Sequence, residues 1–179
     1  MAILSIKPPS YWLRLAAPAL LALALGAKAD EFPEYRLKAA FIYNFMLFTD
    51  WPSSTGDTLN LCIHGNDPFG KSMEDLQGKL IAGRTLSVQR KEMSASLKNC
   101  QAVFISAAAI KVLPQVLAGL RGLPVLTLAD SPQAMQQGVM LNMTLLSGRI
   151  TFEANLQAAR SAGLNLSSKL LQLATEVKQ

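Results

Sequence analysis

The sequence predicts an α/β protein, a layered sandwich in which helices flank a largely parallel central sheet. Three observations support this class. Short apolar runs typical of buried strands alternate along the chain with segments of helical periodicity. Half of the 179 residues are hydrophobic and 16% are charged, which is ample apolar content for a core and excludes a disordered chain. Two cysteines are too few for a small disulfide-dense protein.

The order of the elements follows from local patterns. Pro33 suits the first turn of a helix over 33–48, in which large apolar residues recur at helical spacing, and Pro52 begins the loop after it. Ser147-Gly148 is typical of a hairpin between two extended segments. The other predicted elements are strand 59–64, a short helix near 68–76, strands 85–89 and 102–107, helix 108–120, strand 124–129, extended segments 139–146 and 149–153, and helices 154–162 and 166–177.

The amino end has the pattern of a cleaved signal peptide over residues 1–29. Lys7 and Arg14 precede a short apolar run at 15–25, and Ala27-Lys28-Ala29 fits an A-x-A cleavage site. An uncleaved membrane anchor and a buried core helix are the alternatives, although the run is shorter than the ~20 residues that span a bilayer. We therefore expect export out of the cytoplasm and a single domain over 30–179.

Removal of this leader lowers the net charge from +5 to +2, because the leader carries three basic residues and no acidic one. Such a small charge gives no electrostatic reason to expect a nucleic acid or an anionic membrane as partner. Export also favours a disulfide between Cys62 and Cys100, which lie in or beside strand-like runs that would be adjacent in a parallel sheet. Two buried free thiols are the alternative.

The segment Gly65–Ser72 formally matches the phosphate-binding loop G-x-x-x-x-G-K-[ST]. Pro68 lacks the backbone N–H that a phosphate cradle needs, and Asp67 would place a negative charge beside the phosphates. Asp67-Pro68 is instead typical of a helix start, so we interpret the segment as a capped turn.

No catalytic or metal-binding constellation is evident elsewhere in the sequence. His64 is the only histidine, both cysteines are expected to be bonded, and the motifs of serine hydrolases and zinc proteases do not occur. We therefore expect a protein that is not an enzyme and that uses no cofactor or metal.

The helix over 33–48 and the residues after it are unusually rich in aromatic side chains. Phe41, Phe45, Phe48 and Trp51, with their aliphatic neighbours, cover most of the helix surface rather than one stripe. Burial of the helix on two sides is the simplest explanation. The functional alternative is a partner-binding surface that includes these four residues.

Several segments together match a known pattern: residues 35–45 with Phe48 and Trp51-Pro52, 61–69, 99–106, 138–142, 149–155 and 158–174. In this combination the chain resembles the YfiR family, formerly a domain of unknown function, over nearly all of 30–179. The chain lacks the second, late cysteine pair of the best-known member. It also has Gln137 in place of the first glycine of a Gly-Gly pair, and Met143 in place of an aromatic residue.

The resemblance implies a periplasmic α/β domain without enzymatic activity. The best-known member represses a membrane-bound diguanylate cyclase from the periplasmic side, and an outer-membrane lipoprotein relieves the repression. The expected function is therefore a regulatory binding protein in cyclic-di-GMP and biofilm control. Its expected partners are the periplasmic domain of such a cyclase and an outer-membrane lipoprotein, and a homodimer is left open.

A second function class also stays open. The chain would then be a periplasmic small-molecule sensor or carrier, with a largely apolar pocket and a few polar groups. Arg149 and Glu153 are the candidate ligand-binding residues of that pocket.

Overall fold

The computed structural model describes residues 33–179, so the predicted signal peptide lies outside the described residues. The helices are α1 (Pro33–Leu47), α2 (Lys71–Glu74), a 3-10 helix (Ala107–Val112) that continues into α3 (Leu113–Gly119), α4 (Leu156–Ser161) and α5 (Ser168–Leu171). The strands are β1 (Thr49–Asp50), β2 (Thr58–His64), β3 (Leu80–Ile81), β4 (Arg84–Lys91), β5 (Ala102–Ile105), β6 (Leu126–Ala129), β7 (Leu141–Leu146), β8 (Arg149–Asn155), β9 (Asn165–Leu166) and β10 (Glu176–Lys178).

Eight strands form one sheet in the order β10-β8-β7-β6-β5-β2-β4-β3. Neighbours from β4 to β7 run parallel, whereas β3 and β8 pair antiparallel with β4 and β7. The chain passes from β2 to β4 on one side of β2 and then returns to β5 on the other. This is the doubly wound strand order, and its direction of winding reverses between β2 and β5. The predicted fold class is confirmed.

The sheet buries a core on each face. Leu61 and Ile63 of β2 pack on the side of α1, with Ile42 and Met46 of that helix. Successive side chains of a strand point to opposite faces of the sheet. Cys62 of β2 therefore lies on the other face, where it belongs to a second core that includes Leu113 of α3. The central strands β5 and β6 are buried along their whole length, which explains their continuous apolar sequences.

Two predicted connections are present. The disulfide joins Cys62 of β2 to Cys100, which lies just before the neighbouring strand β5, with a Cα–Cα distance of 5.9 Å. The strands β7 and β8 form an antiparallel hairpin that turns at Ser147-Gly148.

The helix predicted near 68–76 is much shorter in the structure. Asp67 Oδ1 accepts a hydrogen bond from the Phe69 N–H at 2.7 Å, which is the bond of an Asx turn, and Oδ2 accepts one from Arg90 Nε at 2.8 Å. This turn does not continue directly into a helix. The single turn α2 begins only at Lys71, after Gly70. The segment is thus a turn, as interpreted, but Asp67 does not cap a helix.

The helix predicted over 166–177 is wrong. The structure has the two-residue strand β9, the single turn α5 and the strand β10 in its place. Ser167 Oγ accepts a hydrogen bond from Leu170 N and caps α5, which ends at Leu171. The chain then pairs β10 in parallel with β8, so its backbone hydrogen bonds are made with a strand more than twenty residues away.

Candidate functional site

Two of the four residues predicted to bind a partner belong to the core. Phe45 is 1% exposed and packs edge-on against Phe152, with 4.8 Å between the ring centroids. Trp51 is 8% exposed, and its Nε1 donates a hydrogen bond to the Gln101 carbonyl at 3.2 Å. The prediction is therefore corrected for these two side chains, which face the sheet and cannot meet a partner while the protein is folded.

Phe41 and Phe48 are half-buried and keep part of their surface accessible. The Phe41 ring packs against Phe45 and Phe152 at centroid distances of 5.9 and 6.2 Å. Phe41 therefore spans the boundary between core and surface. A partner that contacts it would contact only one edge of a ring that also holds α1 to the sheet.

The exposed side of α1 carries two leucines that are not among the four predicted partner-binding residues. Leu37 is 51% and Leu47 is 41% exposed, and Ala40 and Asn44 are exposed between them. The spacing of three or four residues places all four on one side of the helix. We call Leu37, Ala40, Asn44 and Leu47 the outer stripe. Helical periodicity could not select it, because the helix is apolar on most of its circumference.

A buried ion pair holds the first turns of α1 to the sheet. Lys38 Nζ lies 2.7 Å from Asp130 Oδ2, and both side chains are almost fully buried. Glu34, one turn earlier, also forms an ion pair with Lys38, whose Nζ lies 4.6 Å from the centroid of the Tyr35 ring. Asp130 directly follows β6, so this cluster fixes the helix to the carboxyl end of a central strand.

The cluster changes the protonation of its members. Burial alone would lower the pKa of Lys38, but hydrogen bonds to Asp130 and Glu34 outweigh it and raise that pKa. Burial, followed by the nearby Asp130 charge, raises the pKa of Tyr35. Lys38 is therefore a cation and Tyr35 a neutral phenol at neutral pH, which suits a structural anchor.

Arg149 and Glu153 lie four residues apart on β8. Arg149 is exposed beside the hairpin turn, whereas Glu153 is half-buried and its Oε2 accepts a hydrogen bond from Asn142 Nδ2 at 3.3 Å. Neither residue belongs to the lining of three cavities on residues 33–179, which lie beside α1, α3 and α4. Their role in ligand binding stays a prediction.

One of those cavities lies on the sheet face opposite α1. It has a volume of about 340 Å³ between the segment 93–98 and helix α3, and His64 at the end of β2 forms part of its wall. In the sequence, His64 is notable only as the single histidine of the chain. The signal that could have drawn attention to it is its place at the carboxyl end of a central parallel strand.

The sequence profile of the YfiR/HmsC-like family matches residues 35–175. The chain belongs to the YfiR/HmsC-like family. The predicted resemblance is thereby confirmed over almost all of the described residues. Members of this family are periplasmic regulatory domains rather than enzymes.

A solved structure shares the fold of this YfiR/HmsC-like chain. It is a crystal structure of a conserved domain protein from Vibrio cholerae, with a TM-score of 0.52 and 10% sequence identity over 80% of this chain. The chain spans 60% of the length of that protein. At this level of identity the likeness concerns the fold alone.

Two further observations describe the YfiR/HmsC-like domain. Residues 33–179 contain no group of three or more histidine, cysteine or acidic side chains placed to hold a metal ion. No helix in that range is both long and apolar enough to cross a membrane.

Proposed function

We propose that the chain is an exported protein that represses a membrane-bound diguanylate cyclase by binding the cyclase's periplasmic domain. The observation that carries this proposal is the family match over residues 35–175. Repression requires only that the protein binds the inactive state of the cyclase more tightly than the active state. A coupling free energy of ~1–3 kcal/mol gives roughly a 5- to 150-fold effect, and no catalytic group is needed.

The outer stripe of α1, extended by the accessible edges of Phe41 and Phe48, is the surface we assign to the cyclase. Large exposed leucines on one side of a helix are typical of partner contacts, in which such a helix lies in an apolar groove. The Lys38–Asp130 pair and the Phe45–Phe152 contact hold α1 in place before binding. A rigid helix loses little conformational entropy on docking, so more of the contact energy appears as affinity.

Relief of repression follows from the same surface. An outer-membrane lipoprotein that covers the outer stripe would compete with the cyclase and release it. Both partners require that the chain reaches the periplasm, which we attribute to the leader over residues 1–29.

The test begins with deletion of the gene. We expect cellular cyclic-di-GMP to rise severalfold and biofilm to increase, because the cyclase loses its repressor. The deletion strain is then complemented with Leu37→Glu, Leu47→Glu or the double variant, none of which should restore repression. The matched control is Leu173→Glu, which changes a leucine that is 71% exposed and lies outside α1.

Leu37, Leu47 and Leu173 all lie at the surface, so each substitution should change the free energy of unfolding by less than about 0.5 kcal/mol. Thermal unfolding of the purified variants checks this. If deletion leaves cyclic-di-GMP unchanged under several growth conditions, repression is not the function. If folded Leu37→Glu, Leu47→Glu protein represses as well as the Leu173→Glu control, the cyclase binds elsewhere.

A further inference from the structure

The cavity beside His64 extends along the sheet face that α3 covers, and one end of it reaches the carboxyl end of β2. In doubly wound sheets ligands bind outside the carboxyl ends of the strands, where the direction of winding reverses. Here the reversal falls between β2 and β5, which end at His64 and Ile105. The segment after β4 and the helix α3 cover the sheet face opposite α1, and the cavity lies between them.

His64 has an unusual environment. The residue is 1% exposed, and neither ring nitrogen has a hydrogen-bond partner among residues 33–179. Buried polar side chains in native proteins are nearly always hydrogen-bonded, because an unpartnered group loses its hydration without compensation. The ring forms part of the cavity wall, but neighbouring atoms cover both of its nitrogens. A ligand in the cavity therefore reaches a ring nitrogen only when a side chain beside His64 moves aside.

The histidine is neutral at neutral pH. Burial lowers the pKa of His64 below its usual 6.5, because a charged imidazole would lose its hydration. A neutral ring carries one N–H donor and one bare nitrogen that accepts. It therefore suits a ligand group that can both donate and accept, such as a hydroxyl, better than a carboxylate, which needs donors.

The rest of the wall is mainly apolar. Leu97, Val112, Val116 and Leu120 surround the space, and its polar members besides His64 are Ser96, Lys98 and Gln115. A volume of about 340 Å³ lies at the lower end of the range of small-molecule sites. It has more than enough room for a substituted benzene ring, since a cavity of about 150 Å³ already holds benzene.

We propose that this cavity is a binding site for a small, mainly apolar molecule that carries one hydroxyl group, and that His64 forms the hydrogen bond to that group. The site lies on the face opposite the outer stripe and does not depend on the proposed repression. A metal ion is a poor occupant, since the described part of the chain brings no second or third histidine, cysteine or acidic ligand to His64.

The experiment uses the exported protein without a histidine tag, so that His64 is the only histidine and its ring signals in NMR are unambiguous. The probes are 4-methylphenol and p-xylene, which have nearly the same shape and differ by a hydroxyl. We expect 4-methylphenol to bind with a dissociation constant below about 1 mM and about tenfold more tightly than p-xylene. The ¹⁵N signals of the His64 ring should shift with 4-methylphenol.

Three variants localise the site. His64→Phe should remove the preference for 4-methylphenol, because it keeps an apolar ring without nitrogens. Gly119→Leu should weaken the binding of both probes more than tenfold. Gly119 lines the cavity, and a side chain there has open space to enter. Gly56→Leu is the matched control, because a Cβ at Gly56 also meets nothing within 4 Å and this residue lies outside the cavity.

The comparison of the two probes needs no variant, so it is decisive even if His64→Phe fails to fold. Failure of 4-methylphenol to bind, equal binding of both probes, or binding without a shift of the His64 ring signals overturns the proposal. Each of these results is obtained on the isolated protein and leaves the test of repression untouched.

Discussion

Lys38 and Asp130 form the most deeply buried pair of opposite charges in the described part of the chain. Their side chains are 5% and 4% exposed, and Nζ and Oδ2 lie 2.7 Å apart. Burying two charges costs hydration, so such a pair adds little net stability over apolar residues of the same size. Removal of one partner is different, because it leaves the other charge buried and unpaired.

We therefore expect Lys38→Met to destabilise the protein by roughly 3–5 kcal/mol, since Asp130 loses its counter-ion. The second substitution Asp130→Leu, added to Lys38→Met, should recover a large part of this loss. Urea denaturation at pH 7 measures both free energies of unfolding.

The choice of pH follows from the sign of the pKa shift. The pKa of Lys38 is raised above the 10.5 expected of the unfolded chain. The contribution of Lys38 to the free energy of unfolding is therefore fully present below pH 10.5. It is lost as the pH rises through the raised pKa. A double variant no more stable than Lys38→Met would contradict the account of an unpaired buried charge.

At the scale of elements, the β7–β8 hairpin shows how two residues set a strand register. Leu146 pairs with Arg149, and the turn between them has φ of +50° at Ser147 and +76° at Gly148. Positive φ at both central residues is the geometry of a type I′ turn, which fits the right-handed twist of the flanking strands. Glycine adopts this region at no steric cost, whereas serine does so less readily.

Two substitutions at this turn should have opposite effects. Ser147→Asn should stabilise the protein by a few tenths of a kcal/mol, because Asn-Gly is the preferred pair in this turn. Gly148→Ala should destabilise it by about 1 kcal/mol through backbone strain alone, since a Cβ there meets nothing within 4 Å. The midpoint of urea denaturation should be higher than that of the wild type for Ser147→Asn and lower for Gly148→Ala. A Gly148→Ala protein as stable as the wild type would show that the turn is not held in this conformation.

At the scale of the whole molecule, the disulfide ties together the strands on either side of the winding reversal. Cys62 and Cys100 are 38 residues apart in sequence, and the loop between them contains α2, β3 and β4. The bond restricts this long loop in the unfolded chain, which on the chain-entropy model stabilises the folded state by roughly 4 kcal/mol.

We expect the Cys62→Ala, Cys100→Ala double variant to lose about this much stability, and a reducing agent should have no further effect on it. Mass spectrometry of the non-reduced exported protein should find the two cysteine peptides linked. Two thiols that react with an alkylating reagent in the native protein would contradict the prediction.

The residues of the candidate sites also divide into those that the sequence could identify and those that it could not. The aromatic density after Pro33 correctly drew attention to α1, but the sequence could not separate Phe45, which is buried, from Leu37, which is exposed. Both residues occupy apolar positions of a helix that is apolar on most sides. Which side meets the sheet depends on the Lys38–Asp130 pair and on Phe152, and both partners come from distant parts of the chain.

The sequence by itself determined the α/β class, the buried central strands, the hairpin at Ser147-Gly148 and the family. Each of these depends on local patterns: continuous apolar runs, turn chemistry and recurring motifs. Only the tertiary structure decided that residues 166–177 form a strand, a turn and a second strand, and that His64 borders a cavity. Local periodicity cannot reveal these features, because β10 is stabilised by pairing with β8 and the environment of His64 is set by the residues that fold over it.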